Sequence, residues 1–376
     1  MHFAVNGHLL SPVGGYRQAG VSRYIEQLLR RLLPAAPADQ WTVYLPQGVA
    51  KDYAQLPNTR LRASRLPTTH PIGRIIWEQC VAPATLLRDR PAVLFCPLNV
   101  VPFLAPCPTV VCVHDLAFLR FPELRRPAKR RYLAALTRLS VHRAAHVLTV
   151  SEFTRREVIE LLGVAPEKVT AVPNGADERI GPVAPGVVDE FRKAKELPEQ
   201  FLLFLSTLEP RKNLATLLRA YARRREAIGM PLIVAGGKGW LYEPIFELVK
   251  ELDLGDAVRF VGFVPGDELG LWYNAATAFV YPSLYEGFGL PPLEAMQCGT
   301  PVVTSHAASL PEVVGDAALL VEPMSVEDWS EALVRVATDS ALRDDLRERG
   351  LRQARQFTWE RAASGTLAAL RAAVRR

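Results

Sequence analysis

The 376-residue chain lacks most of the features that staple small or exported domains. It has five cysteines, Cys80, Cys96, Cys107, Cys112 and Cys298, an odd number with no CxxC pair. That argues against a zinc ribbon, a thioredoxin-type motif and a secreted disulfide framework, and points to a reducing cytosol. The first ten residues have neither a charged n-region nor a long apolar run, so no signal peptide is expected there. The stretch 92–113 has no charged residue and mimics a membrane span. Pro97, Asn99, Pro102, Pro106 and Pro108 would break a helix of that length, so it reads as strand, loop, strand. Internal repeats and low-complexity segments are absent. The Gly-rich run at 236–239, GGKG, does not have the GxxxxGK[ST] spacing, which excludes a P-loop nucleotidase. No Asp-x-Asp pair sits at a strand end, since Asp344 and Asp345 fall in a charged helical stretch. No metal site is therefore expected.

What is present is an ordinary globular composition, 49% hydrophobic and 22% charged. At ~100–200 residues per domain, the length suggests two domains, each large enough to bury its own core. The net charge of +6 is unevenly spread. Residues 1–178 carry 22 Lys and Arg against 13 Asp and Glu, whereas residues 179–376 carry 23 against 26. The basic excess belongs to the first half. No nucleic-acid recognition motif accompanies it, so a nucleic-acid partner is not expected.

Short apolar runs alternate with amphipathic stretches. Strands are expected at 3–5, 42–45, 93–96, 109–114 and 147–151, then at 201–206, 232–235, 258–261, 278–281, 301–304 and 318–321. Helices are expected at 21–33, 214–225, 245–252 and 359–374. Such alternation predicts an α/β protein with parallel sheets: two Rossmann-like domains facing across a cleft, with ligands at the carboxyl ends of the strands. Gly181, Pro182, Pro185, Gly186 and Pro198 place the boundary near 180–198. The first domain is then 1–180 and the second 199–357.

The most informative segment is 281–303, YPSLYEGFGLPPLEAMQCGTPVV. A strand ends near Tyr281. Gly287 and Gly289 form a turn whose backbone can approach a ligand closely. Pro291 and Pro292 fit a helix start and Gly299 its stop. Free N–H groups at Gly289 and Leu290 suit an anionic or polyhydroxyl ligand. Glu286 on the loop and Glu294 on the helix are placed to bind hydroxyls. Elsewhere, Arg211 and Lys212 stand in EPRKN after a strand, two cations suited to a diphosphate, and Asn213 is expected to cap the next helix. A Gly-rich loop over 14–20 opens the first helix. His114 and Asp115 end the strand over 109–113 and so should point into the cleft. Val264 ends the stretch 261–264, whose backbone suits a nucleotide base. A basic run, Arg120, Arg125, Arg126, Lys129, Arg130 and Arg131, reads as a solvated helix face, a contact for anionic lipid headgroups, or a site for a phosphorylated acceptor.

Taken in order, these segments resemble retaining glycosyltransferases of family 4, which have the GT-B fold. The resemblance rests on the E-x7-E region of Glu286 and Glu294. It also rests on GVSRY at 20–24, VHDL at 113–116, VSE at 150–152, PNG at 173–175, EPRKN at 209–213 and VGFV at 261–264, and it runs from about residue 1 to 360. It implies that the second domain binds a nucleoside-diphosphate sugar, with Arg211 and Lys212 at the diphosphate. Glu286 would hold sugar hydroxyls and Glu294 the ribose. Gly20, Gly287, Phe288, Gly289, Leu290 and Val264 would complete the donor site, with Lys238 on a nearby loop. His114 lies near the reaction centre and Asp115 orients its loop or binds acceptor. Ser22 stands where a glycine is common, and Thr207 stands near a position that is arginine in some relatives. The C-terminal helix, about 358–376, packs back on the first domain. The implied enzyme is retaining and metal-independent, without a cofactor. It moves a hexose to a glycan or lipid-linked acceptor in the cytoplasm or at the inner face of the membrane. GDP-mannose is the first donor and UDP-sugars remain open. The alternatives are a nucleotide-sugar epimerase and a non-catalytic nucleotide-sugar-binding subunit.

Overall fold

The computed structural model describes residues 1–10, 20–49, 56, 58–121 and 127–374, with the side chains of 127–129 excepted. The chain divides into two compact units, Met1–Gly175 with Thr358–Arg376, and Ala176–Phe357.

The first unit is built on seven parallel strands: β1 (His2–Asn6), β2 (Gln40–Leu45), β3 (Thr59–Ala63), β4 (Val93–Cys96), β5 (Thr109–Val113), β6 (His146–Thr149) and β7 (Val169–Ala171). They are ordered β3-β2-β1-β4-β5-β6-β7. The second unit has six: β8 (Leu202–Leu205), β9 (Leu232–Ala235), β10 (Val258–Gly262), β11 (Ala278–Tyr281), β12 (Val302–Ser305) and β13 (Ala318–Val321). Their order is β10-β9-β8-β11-β12-β13, again all parallel. Central strands such as VLFC and TVVCV are buried on both faces, as a parallel sheet covered by helices requires. In each unit the strand order reverses once, between β1 and β4 and between β8 and β11. Ligands of such sheets bind outside the carboxyl ends of the strands at that reversal. The fold class is the expected one, α/β with two Rossmann-like parallel sheets.

Strand positions match the sequence expectation to within a residue or two at each end. Two further strands, β3 and β7, form the edges of the first sheet. The TRLRA of β3 is only partly buried, and β7 has three residues, so neither carries an apolar run. The stretch 92–113 is β4, a loop and β5. Among the described residues no helix is long and apolar enough to cross a membrane.

The units divide at Gly175/Ala176 and at Phe357/Thr358, ahead of the Gly/Pro-rich stretch 180–198. That stretch is not a bare linker. Pro185 starts the helix Pro185–Ala194, which belongs to the second unit. Phe191 packs edge-on against Trp272, with ring centroids 5.5 Å apart, and Lys195 pairs with Glu268 at 2.8 Å. The helix Trp359–Val374 returns to the first unit and packs on the helix Val21–Leu32. Arg31 bonds Glu360 at 3.0 Å, and Arg371 bonds Asp39, which also takes the N-terminal ammonium. Gly175 is required at this junction, since a Cβ there would lie 2.2 Å from the Trp359 nitrogen.

Candidate functional site

The loops that follow β8 and β11 meet at the reversal point of the second sheet. After β8, Glu209–Asn213 forms a tight turn in which Pro210–Lys212 is a 3-10 helix. After β11, residues 282–289 form the loop that leads to the helix Leu290–Gln297. Two links fasten the loops, one of them backbone to backbone: Leu284 N–H donates to the Arg211 carbonyl, and the Arg211 Nη1 donates to the Tyr285 carbonyl at 2.5 Å.

These links bring Arg211, Lys212 and Glu286 into direct contact. Lys212 Nζ donates to Glu286 Oε1 at 2.6 Å, and Arg211 Nη1 donates to Oε2 at 3.2 Å. Oε1 also accepts from the Tyr281 hydroxyl at 2.8 Å and from Ser283 Oγ at 2.6 Å. Glu209 takes the other edge of the Arg211 guanidinium, with Nε and Nη2 at 3.0 and 2.7 Å. Two cations and two carboxylates therefore balance, as buried charges must. Burial alone would raise the Glu286 pKa, but Lys212 and Arg211 beside it hold it at about 2. Burial pulls the Lys212 pKa down, and the Glu286 charge opposes that fall. Burial, together with the neighbouring Glu286 charge, raises the Tyr281 pKa, so the phenol keeps its proton and donates it. Tyr281, Ser283 and Glu209 were not singled out from sequence. Tyr281 and Ser283 do lie in the quoted YPSLYEG, and Glu209 opens the quoted EPRKN.

Asn213 does not cap its helix. It takes a left-handed conformation, with φ 56°. Its amide donates to the Pro323 carbonyl at 2.7 Å, and its Oδ1 accepts from the Thr216 hydroxyl at 2.8 Å, which ties the turn to the β13 end of the sheet.

The adjoining loop is shaped by Gly289, whose φ of 120° and closeness to Leu310 leave little room for a side chain. Ser309 Oγ lies 2.8 Å from the Glu286 carbonyl and 2.5 Å from that of Phe288, which fixes the loop from behind. Pro291 and Pro292 start the helix Leu290–Gln297 as expected. Glu294 sits on it, 3% exposed, and accepts from the Tyr273 hydroxyl at 3.2 Å. The Phe288 side chain is buried and packs edge-on against Phe357, so this residue offers its backbone and not its ring. Val264 is buried just after β10, beside the exposed Phe263. Lys238 lies over the rings of Tyr242 and Phe246 at 5.3 and 5.7 Å, a contact that anchors its loop. On that loop Gly236 is obligatory, since a Cβ would fall 1.8 Å from the Ser206 carbonyl oxygen.

His114, Asp115 and Gly20 belong to the first unit. His114 follows β5, donates from Nε2 to the Pro97 carbonyl at 2.8 Å and meets Tyr24 edge-on. Burial lowers its pKa, against opposing effects of that carbonyl and Asp115, so the imidazole is neutral with Nδ1 as its acceptor. Asp115 accepts from the Ala117 N–H at 3.0 Å, a turn that shapes its own loop. Gly20 has φ 71° and accepts from the Tyr24 N–H. Residues 14–19 of the Gly-rich loop lie outside the described residues. Of the basic run, Arg125 and Arg126 lie outside them, as does the Lys129 side chain. Arg120 is held by Glu157 at 2.6 Å. Among the described residues no group of three or more His, Cys, Asp or Glu could hold a metal ion.

Residues 188–353 match the family Glycosyl transferases group 1, and residues 19–179 match Glycosyltransferase Family 4. O-antigen chain mannosyltransferase B of Escherichia coli is 33% identical over 369 residues, covering 94% of this chain and 96% of that protein. Among solved structures, sucrose-phosphate synthase from Thermosynechococcus elongatus aligns with a TM-score of 0.76 at 23% identity, over 98% of each chain. Anabaena HepE, solved with UDP and glucose, aligns with a TM-score of 0.74 at 18% identity, over 98% of this chain and all of the other. These two similarities concern the fold alone. The two family matches and the near full-length relative agree on one assignment: the chain belongs to the family 4 glycosyltransferases, those of group 1.

Proposed function

We propose that this glycosyltransferase moves mannose from GDP-mannose to a hydroxyl of a glycan or lipid-linked acceptor in surface-polysaccharide synthesis, with retention at the anomeric carbon. The observation that carries the donor site is the Arg211–Lys212–Glu286 cluster at the carboxyl ends of β8 and β11. The choice of mannose rests on the E. coli relative, named an O-antigen chain mannosyltransferase.

In this reading the diphosphate lies against Arg211, Lys212 and the free N–H groups at the start of the helix Leu290–Gln297. These groups are in place before charge develops on the leaving phosphate, which is the condition for transition-state stabilisation. Glu286, ionised down to a pH of about 2, is always a hydrogen-bond acceptor for sugar hydroxyls. Its Oε1 already accepts three bonds, so Oε2 serves the ligand. Glu294 takes the ribose hydroxyls and the backbone near Val264 the base. His114 stays neutral and presents Nδ1 on the acceptor side, next to Asp115. The C1–O bond to the diphosphate breaks as the C1–O bond to the acceptor forms on the same face. The acceptor proton passes to the departing phosphate oxygen. Mass spectrometry of enzyme turning over GDP-mannose should show no glycosyl-enzyme adduct, and a trapped adduct would replace this route with double displacement.

Purified enzyme should turn over GDP-mannose and be stabilised by GDP more than by UDP in a thermal shift. Lys212→Ala and Glu286→Ala should each lower kcat/KM at least 100-fold. Full activity in both variants would overturn the site, and turnover of a UDP-sugar alone would move the donor to the second reading. We assign the enzyme to the cytoplasm and the inner face of the membrane, where Arg130 and Arg131 would meet anionic lipid.

A further inference from the structure

At the carboxyl edge of the first sheet, the reversal point between β1 and β4 holds a polar cluster that the reaction above does not use. The chain leaves β1 through Asn6, Gly7 and His8. Facing them, the helix Pro71–Ile76 passes into a π-helical turn, Trp77–Val81, that carries Glu78. Isolated π turns are rare and are found disproportionately at functional sites.

Asn6 Nδ2 donates to Glu78 Oε1 at 3.1 Å, and Arg74 Nε stands 3.8 Å from the same oxygen. Among the described residues, Glu78 Oε2 has no hydrogen-bond partner. The His8 ring lies 4.0 Å from the Trp77 ring and is fixed through Nδ1 to the Thr68 hydroxyl at 2.9 Å. His8 is 1% exposed, yet its Nε2 meets neither donor nor acceptor among the described residues. The buried His8 Nε2 thus lacks a partner among the described residues, against the strong tendency of native proteins to satisfy such groups.

We propose that Glu78, Asn6 and His8 form a subsite of the first unit for the hydroxyls of a neutral acceptor sugar. The chemistry fits a polyol better than an anion or a cation. A carboxylate at the centre repels anions, and Arg74 already stands beside it. The neutral imidazole of His8 offers one hydrogen bond, as donor or acceptor according to its tautomer, and a sugar hydroxyl can answer either. Burial, followed by the Arg74 charge, holds the His8 pKa near 3, which keeps the ring neutral. Burial raises the Glu78 pKa to about 6, against the pull of Arg74 and Asn6, so its charge is held at a cost in stability. Sites kept for binding often carry such a cost.

The inference rests on the glycosyltransferase reading, and its test separates the two. Methyl α-mannoside serves as the acceptor probe, with GDP-mannose as donor. Glu78→Gln should raise the KM for methyl α-mannoside about tenfold or more, the usual effect of losing a hydrogen bond to a charged group. Its Kd for GDP should match that of the unaltered enzyme, and its Tm at pH 8 should be equal or higher. As a measurement without substitution at Glu78, the imidazole resonances of His8, assigned with His8→Gln, should shift on adding methyl α-mannoside to the GDP-bound enzyme. An unchanged acceptor KM in Glu78→Gln would overturn the subsite, as would an unmoved His8 resonance at saturating probe. Failure of the unaltered enzyme to turn over GDP-mannose or bind GDP would instead overturn the donor reading.

Discussion

The Glu286 carboxylate accepts from four side chains, and its pKa makes a test at the residue scale. The folded value of about 2 lies below the usual 4.5, so this group stabilises the fold fully above pH 4.5. That contribution is lost as the pH falls from 4.5 to about 2. In urea titrations at a series of pH values, the unaltered protein should lose stability over this window more steeply than Glu286→Gln. Equal slopes would mean that the carboxylate is not held by Lys212 and Arg211. The sequence already showed the partners as separate signals, EPRKN and the E-x7-E segment. It did not show that they are ion-paired, because they stand 74 and 75 positions apart in the chain and only the β8–β11 pairing brings them together. The same limit applies to His8 and Glu78, whose partners depend on the sheet edge and not on neighbours in sequence.

At the scale of elements, legibility followed local punctuation. The helix Leu290–Gln297 was readable because Pro291, Pro292 and Gly299 bracket it, and the helix Trp359–Val374 because its apolar residues recur on one face. The edge strand β3 was not, since Arg60 and Arg62 interrupt it and half of it faces solvent. The π turn Trp77–Val81 has no sequence signature in WEQCV. Asn213 shows a further limit: the residue type suits a cap, but Pro323 and Thr216 claim its side chain. The loop ahead of Leu290 permits a direct test. Gly289→Ala must place a side chain at φ 120° and 2.9 Å from Leu310 Cδ2. It should cost about 1–3 kcal/mol in urea denaturation. It should also raise the Kd for GDP in isothermal titration, since the helix start would shift away from the ligand. Unchanged affinity with lowered stability would confine Gly289 to a structural role.

At the scale of the whole molecule, the uneven charge acquires an address. Counted by unit, the first carries 26 Lys and Arg against 12 Asp and Glu, and the second 19 against 27. Within the basic run Arg120 is paired with Glu157, so Arg130 and Arg131 are its members with described side chains that stay for an anionic surface. Sedimentation with vesicles rich in phosphatidylglycerol should show binding at low salt that falls as ionic strength rises. Arg130→Glu with Arg131→Glu should reduce it severalfold, and binding indifferent to salt or to that pair would exclude an electrostatic contact.

The way the chain enters and leaves the second unit has a further consequence. Ala176 N–H donates to the Phe357 carbonyl at 3.0 Å, so this unit begins and ends at a single point. In genetic terms it is an insert: one uninterrupted reading segment placed within another, with abutting termini. Exchange between relatives then needs only two junctions, both at the same spot in space. The second unit of such a protein can be replaced as a cassette while the first unit and its closing helix stay as they are.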